Sequence, residues 1–301
     1  MSENNEMAYK VGIDLGGTKI ECILLNNNNE EVWRKRILTE QEKGYSAILE
    51  KIRSIYNDAV LQIDNKDHTL GIGIPGIISN ITGVIKNSNT QCLNKKPFKQ
   101  DIVHMVKHDI NIQNDANCFT YAEAKLGAGV NKNLVFGVIM GTGCGGGISI
   151  NGNIHLGIQG IAGEWGHMQI NPEGPECYCG KKGCVETYIS GGGLQRLFEN
   201  RFGTRKTIQE IILGFRNGNP SCREIFLEFL KSFGIALSNL INILDPDIVV
   251  LGGGLSNIDE LYTIGKDEVK KNIFSDRFET PIVKNMLGDS SGVLGAALIG
   301  I

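Results

Sequence analysis

The chain has 301 residues, with 30 Lys and Arg against 33 Asp and Glu, and its formal net charge of -3 excludes the broad positive field needed to hold a nucleic-acid backbone or an anionic membrane. At 41% hydrophobic and 21% charged residues it reads as globular rather than disordered, with length for about two ordinary domains. No apolar run approaches the roughly 18 uncharged residues of a membrane span, and the polar start MSENNEMAYK is unlike a secretory signal, so a cytoplasmic protein with no membrane and no nucleic-acid partner is expected.

Residues 9–39 alternate strand, glycine turn (KVGIDLGGTK), strand, Asn-rich turn and strand, a β-meander. A helical pattern follows over 44–61, then LGIGIPGIIS reads as a buried strand broken at Pro75 and Gly76. A loop carrying Asn87 and Asn89 leads to a short helix near 99–108, the strand DINIQ, and a helix opening on Asn114-Asp115-Ala116-Asn117. The opening pattern then repeats, because LVFGVIMGTGCGGGISINGNIHLG aligns with VGIDLGGTKIECILLNNNNEEV, which predicts two copies of one α/β lobe. A Gly- and Cys-rich insert spans roughly 160–193. CREIFLEFLKSFGIALSNLINIL reads as a helix stopped by Asp245-Pro246-Asp247, IVVLGGG as a buried strand, and GDSSGVLGAALIG as a small-residue helix suited to close packing. The expected division is an N-terminal lobe of residues 1–116, with 289–301 packing back on it, and a C-terminal lobe of residues 117–288 carrying the insert.

The 39 glycines, about 13% of the chain against a typical ~7%, cluster after apolar runs. Asp14-Leu15-Gly16-Gly17-Thr18-Lys19 sets an acid at a strand end beside exposed backbone N–H groups and a hydroxyl, which suits phosphate and a Mg²⁺-bound water. Gly141-Thr142-Gly143-Cys144-Gly145-Gly146 occupies the equivalent place in the repeat, and Gly252-Gly253-Gly254 would let a base and ribose approach backbone closely. Alone, each is also an ordinary turn; two glycine loops in matching places are harder to assign to turn-making, given the entropic cost of so many glycines. Asp115 could serve as a helix cap, or its carboxylate could take a substrate hydroxyl's proton as that oxygen attacks a γ-phosphoryl group.

His167, Cys177, Cys179 and Cys184 form H-x9-C-x-C-x4-C, a donor set that closes a tetrahedral, structural Zn²⁺ site with no open position. Cys22, Cys92, Cys118, Cys144 and Cys222 are scattered and read as small buried hydrophobes. Glu164 and Glu186 flank the ligand set, so the metal would fix two carboxylates suited to binding several sugar hydroxyls; the plainer reading is two solvated acids.

Together, DLGGTK, GIGIPG, NDAN, GTGCGGG, GEWGH, CYCGKKGCVE and LDPDIVVLGGG resemble the ROK family of sugar kinases and repressors, over residues 11–297. The resemblance implies an actin-like ATPase (ribonuclease H-like) α/β fold, two duplicated lobes with an interlobe cleft, a homodimer, and the cofactors ATP, Mg²⁺ and structural Zn²⁺. It further implies Asp115 as catalytic base and Gly76, Asn89, Asn114, Glu164, His167 and Glu186 as sugar contacts, with His167 using one nitrogen for zinc and the other for the sugar. Residues 12–19 (Gly12, Asp14, Gly16, Gly17, Thr18, Lys19) and 141–148 (Gly141, Thr142, Gly143, Cys144, Gly145, Gly146) match the ATP-phosphate loops, and Gly253 and Gly254 the adenosine side.

Within that family the motifs look most like the manno(fructo)kinase branch, which implies transfer of the γ-phosphate of ATP to the primary hydroxyl of fructose or mannose. N-acetylglucosamine kinases and glucokinases share many of the same residues, and both stay open. The first strand begins within about ten residues of Met1, short of the recognition helix a repressor carries, and both phosphate loops argue against a pure sugar-binding sensor.

Overall fold

The computed structural model describes residues 9–301, so most of the polar start on which the cytoplasmic expectation rests lies outside it. The chain divides into two compact units. One holds the described residues up to Ala122 with Leu156–Gly160 and Asp289–Ile301; the other holds Glu123–His155 and Ile161–Gly288. The division expected after residue 116 instead falls after Ala122, inside a continuous helix.

In the first unit, β1 (Tyr9–Leu15), β2 (Lys19–Leu25) and β3 (Glu31–Leu38) form the antiparallel meander. Helix α1 (Tyr45–Leu61) follows, then β4 (His68–Ile74), the two-residue strands β5 (Ile77–Ile78) and β6 (Ile85–Lys86), helix α2 (Phe98–Val106), β7 (Asn111–Asn114) and helix α3 (Asp115–Leu126). β4 runs parallel to β1 and β7 parallel to β4, giving the order β3-β2-β1-β4-β7. Ile48, Leu49, Ile52, Ile55, Tyr56, Ala59 and Val60 recur at helical spacing along α1 and are its buried face. Glu21 on β2 is only 2% exposed, and its charge is met by Arg34 at 2.5 Å and Arg36 at 2.9 Å on the neighbouring β3. Removing either arginine would leave a buried carboxylate short of a partner, the costly way to break such a group.

The second unit repeats the plan. β8 (Leu134–Met140), β9 (Cys144–Ile150) and β10 (Asn153–Ile154) form a meander, and the helices α4 (Val185–Ile189), α5 (Gly191–Phe202), α6 (Ile208–Arg216) and α7 (Pro220–Leu244) precede β11 (Ile248–Gly252). Helix α8 (Ile264–Asn272) and β12 (Ile282–Lys284) complete a sheet of order β10-β9-β8-β11-β12, with β11 parallel to β8 and β12 parallel to β11. The strand pairing is that of the first sheet, element for element.

Asn219 caps α7 by accepting from Cys222 N–H, Pro220 fits the first turn, and Asp245 ends the helix in the left-handed region. By length and composition α7 could cross a membrane, yet Phe226, Phe229, Leu230, Phe233 and Leu237 on it are fully buried in this unit's core. Glu123 is buried as well, and its carboxylate accepts from the N–H groups of Ala128, Met286 and Leu287, tying the end of α3 to the segment after β12.

The last helix, α9 (Ser291–Leu298), packs on β1, β4 and β2 of the first unit. Small residues make this contact. A Cβ on Gly12 would lie 2.4 Å from Ala297 N, one on Gly71 1.9 Å from Ala296 O, and one on Gly295 1.8 Å from Cys118 O.

Candidate active site

In the first unit, β1 delivers Asp14 to the start of the turn that leads into β2. The turn is closed by Gly16 N–H donating to Lys19 O at 2.9 Å, while the buried Thr39 hydroxyl donates to Gly16 O at 2.7 Å. Thr18 and Lys19 are exposed. Burial, with the nearby carboxylates of Asp115 and Glu21, pushes the Asp14 pKa up to about 7, and Lys19 pulls against that rise. This turn therefore begins on a carboxyl that a cation would hold in its charged form. Gly12, expected among the phosphate contacts, lies mid-strand against Ala297 and Val293, so its missing side chain serves the packing of α9.

β7 ends in Asn114 and α3 begins with Asp115. Ala116 N–H donates to Asn114 Oδ1 at 2.9 Å and to Asp115 Oδ1 at 2.8 Å, which fixes both side chains at the helix start. Asn114 Nδ2 donates to Gly76 O at 3.3 Å. Gly76 has φ 93°, and a Cβ there would lie 2.8 Å from Lys86 O and 2.9 Å from Ser88, so only glycine fits. Asn89 is exposed beside the buried Ser88 and Thr90. The Thr90 hydroxyl is a buried group without a hydrogen-bond partner, 3.6 Å from where a Cβ on Gly17 would stand. Sequence reasoning singled out neither Thr90, which follows Asn89, nor Thr39.

In the second unit the glycine turn Gly141–Gly143 joins β8 to β9 and is tied to the start of α5, where Gly191 N–H donates to Gly141 O at 2.8 Å and Gly192 N–H to Thr142 O at 3.2 Å. Gly253, φ 76°, sits so tightly against β8 that a Cβ would lie 2.4 Å from Met140 O, whereas a Cβ on Gly254 would meet nothing within 4 Å. Gly141 and Gly254 border one cavity of about 470 Å³, walled by Ile208, Ile212 and Leu213 of α6 and by Leu255 and Ile258, with Gln209, Arg216 and Asn257 at its polar points. An apolar slot bordered by a glycine turn suits a purine base whose phosphates run toward that turn. The wall from α6 was not legible beforehand.

The insert packs on the strand after that turn. Trp165 is buried edge-on to Phe136 and donates from Nε1 to Gly145 O at 3.0 Å; a Cβ on Gly146 would lie 2.7 Å from Trp165, and one on Gly166 2.2 Å from Cys144 O. Cys144, Gly145 and Gly146, expected as phosphate contacts, are thus occupied with the insert, which leaves Gly141, Thr142 and Gly143 as the open turn. Glu186 Oε2 accepts from Cys144 N–H at 2.9 Å, so this carboxylate is anchored to the strand start. Glu164 is open to solvent on one side, yet partial burial and Glu186 raise its pKa, and His167 opposes that rise.

The ligand atoms of His167, Cys177, Cys179 and Cys184 all lie within 4.8 Å of one another. His167 Nδ1 is 3.6 Å from Cys177 Sγ, and Cys179 Sγ is 3.6 Å from Cys184 Sγ. Tetrahedral zinc with Zn–S bonds of ≈ 2.3 Å spaces its sulfurs about 3.8 Å apart, so the donor set fits that ion. His167 Nε2 is 2.9 Å from the hydroxyl of Tyr178, a residue the sequence reading passed over.

The ROK family model matches residues 10–300. N-acetyl-D-glucosamine kinase of Pectobacterium carotovorum subsp. carotovorum (strain PC1) is 36% identical over 298 residues, covering 96% of this chain and 97% of the relative. The crystal structure of ROK hexokinase from Thermus thermophilus superposes with a TM-score of 0.87 at 29% identity, covering 97% of both chains. A ROK family glucokinase from Streptomyces griseus in complex with glucose and AMPPNP gives 0.80 at 26% identity, covering 97% of this chain and 99% of that one. With these neighbours the repeated sheets are the actin-like ATPase fold, and the chain belongs to the ROK family as an ATP-dependent sugar kinase.

Proposed function

We propose that the protein is an N-acetylglucosamine kinase that transfers the γ-phosphoryl group of ATP to the sugar's primary hydroxyl. The observation that carries this reading is the 36% identity to an N-acetyl-D-glucosamine kinase over 96% of the chain. The manno(fructo)kinase reading of the motifs takes second place, since no relative described above is named for fructose or mannose. Glucose is the alternative, favoured by the likeness to the glucokinase complex at 26% identity.

Asp115, fixed at the start of α3, accepts the proton of the attacking hydroxyl as the O–P bond forms and ADP leaves. Of the residues assigned here to sugar binding, Gly76, Asn89 and Asn114 belong to the first unit; Glu164, His167 and Glu186 belong to the second. Gly16, Gly17, Thr18 and Lys19, with Gly141, Thr142 and Gly143, hold the phosphates, and the cavity beside Gly254 takes the base. Mg²⁺, when bound, supplies charge neutralisation on the phosphate oxygens; Asp14 is the carboxylate suited to hold it or its water. His167, Cys177, Cys179 and Cys184 would hold structural zinc, ordering the stretch that bears both Glu164 and Glu186.

ADP release with MgATP against N-acetylglucosamine, glucose, fructose, mannose and N-acetylmannosamine tests the reading. The highest kcat/KM is expected for N-acetylglucosamine, and Asp115→Asn should lower its kcat by about 10²-fold or more while sugar binding weakens less. A preference for fructose or mannose overturns the substrate, and sugar binding without turnover of any of them turns the protein into a sensor.

A further inference from the structure

The imidazole of His167 is engaged at both nitrogens. Nδ1 faces the cysteine cluster, 3.6 Å from Cys177 Sγ, and Nε2 faces the Tyr178 hydroxyl at 2.9 Å. The Tyr178 ring stands edge-on to the imidazole, 5.1 Å between centroids at 88°. Burial does not put it there, because Tyr178 is 72% exposed. Its backbone is set by the knuckle around it: Cys177 N–H donates to Lys181 O at 2.8 Å and Gly180 N–H to Cys177 O at 3.0 Å.

An imidazole that turns Nδ1 toward a cation carries its proton on Nε2, so Nε2 donates and the tyrosine oxygen accepts. A sugar hydroxyl seeking His167 meets a donor that is already occupied. We infer that Tyr178 is a positioning residue: in the free protein its phenol holds the sugar-facing N–H of His167, and a sugar hydroxyl must displace it to bind. This rests on the reading above that His167 contacts the sugar. The phenol keeps the ring aimed while the site is empty, and it lowers the apparent affinity of every sugar by the fraction of molecules in which the contact is closed. Nothing in the exchange is covalent; one accepted hydrogen bond replaces another, and the released phenol turns to water.

The test uses the full-length Tyr178→Phe protein, its zinc content measured beside wild type, with calorimetric binding of N-acetylglucosamine and of glucose in the absence of nucleotide, followed by steady-state kinetics. One released hydrogen bond corresponds to about five-fold. The expected result is therefore a Kd and a sugar KM about five-fold lower than wild type, with the KM for ATP and the zinc content unchanged. The N-acetylglucosamine-to-glucose affinity ratio should stay as in wild type, because both sugars displace the same phenol. Unchanged or weaker sugar binding in a variant that keeps its metal overturns the inference and leaves the kinase reading standing. Loss of metal overturns it too, making Tyr178 a brace of the cysteine knuckle. Wild-type protein that binds neither sugar overturns the substrate reading, and the inference with it.

Discussion

The two glycine turns occupy the same place in two sheets of the same topology, yet they are built differently. In the first, the acid comes from the strand itself: Asp14 ends β1, its pKa is pushed up to about 7, and Thr39 fastens the turn through one hydroxyl. In the second, the strand supplies no acid; Glu186 reaches in from the cysteine-rich insert to accept from Cys144 N–H, and the N–H groups of Gly191 and Gly192 fasten the turn from α5. The comparison teaches that a duplicated backbone can be kept while its charge is moved to another segment. One turn carries its own carboxyl, and the other borrows one that stands 42 residues further along the chain.

The sharpest break of this comparison is Asp14→Asn. It should lower kcat by about 10²-fold, as expected where a charge at the phosphates is lost. It should also change the pH dependence of stability. Folding raises the Asp14 pKa from 3.8 to about 7, so the folded chain keeps a proton that the unfolded chain releases. The associated stability is present below the unfolded value and is lost as pH rises through about 7. The Asn variant should therefore show a higher Tm than wild type near pH 8 and little gain near pH 4; thermal melts across that range check it, and a lower Tm at pH 8 would remove the buried-acid reading.

At the second turn the pair Glu186→Gln and Glu186→Ala separates charge from anchoring. The amide oxygen of Gln can still accept from Cys144 N–H, so its KM for ATP should stay near wild type while its sugar KM rises. Ala leaves that N–H without its partner, a loss of about 1–3 kcal/mol, and should raise the KM for ATP by about ten-fold as well. Equal ATP behaviour in the two variants would break the link between insert and turn. The smallest effect is expected for Thr39→Val, which removes one hydroxyl from Gly16 O and should cost about 1 kcal/mol in denaturant melts with a modest rise in the KM for ATP.

Much of this was legible because it is written in residue types with few other uses. Consecutive glycines marked both turns, and the H-x9-C-x-C-x4-C spacing gathered ligands that the fold brings within 4.8 Å. Strand glycines were the trap. Gly12 and Gly146 stand in the same motifs as the turn glycines, but one meets Ala297 and the other Trp165, partners far along the chain that no local pattern announces. The α6 wall of the cavity beside Gly254 was hidden for the opposite reason, since Ile208, Ile212 and Leu213 have the spacing of any amphipathic helix, and that spacing does not say whether a face meets core or ligand. Tyr178 was masked by its neighbours, an aromatic between two cysteines that drew the attention.

The glycine seam beneath α9 sets an order of events. Gly12 and Gly71 belong to β1 and β4, among the first strands of the chain, and their covering residues Val293, Ala296 and Ala297 are translated only after the whole second sheet. The first sheet must therefore wait on the ribosome with Ile23 and Leu25 lacking their cover from Val293 and Ala297, whereas the second can close on its own residues. During synthesis the earlier half of the molecule is the later one to be finished.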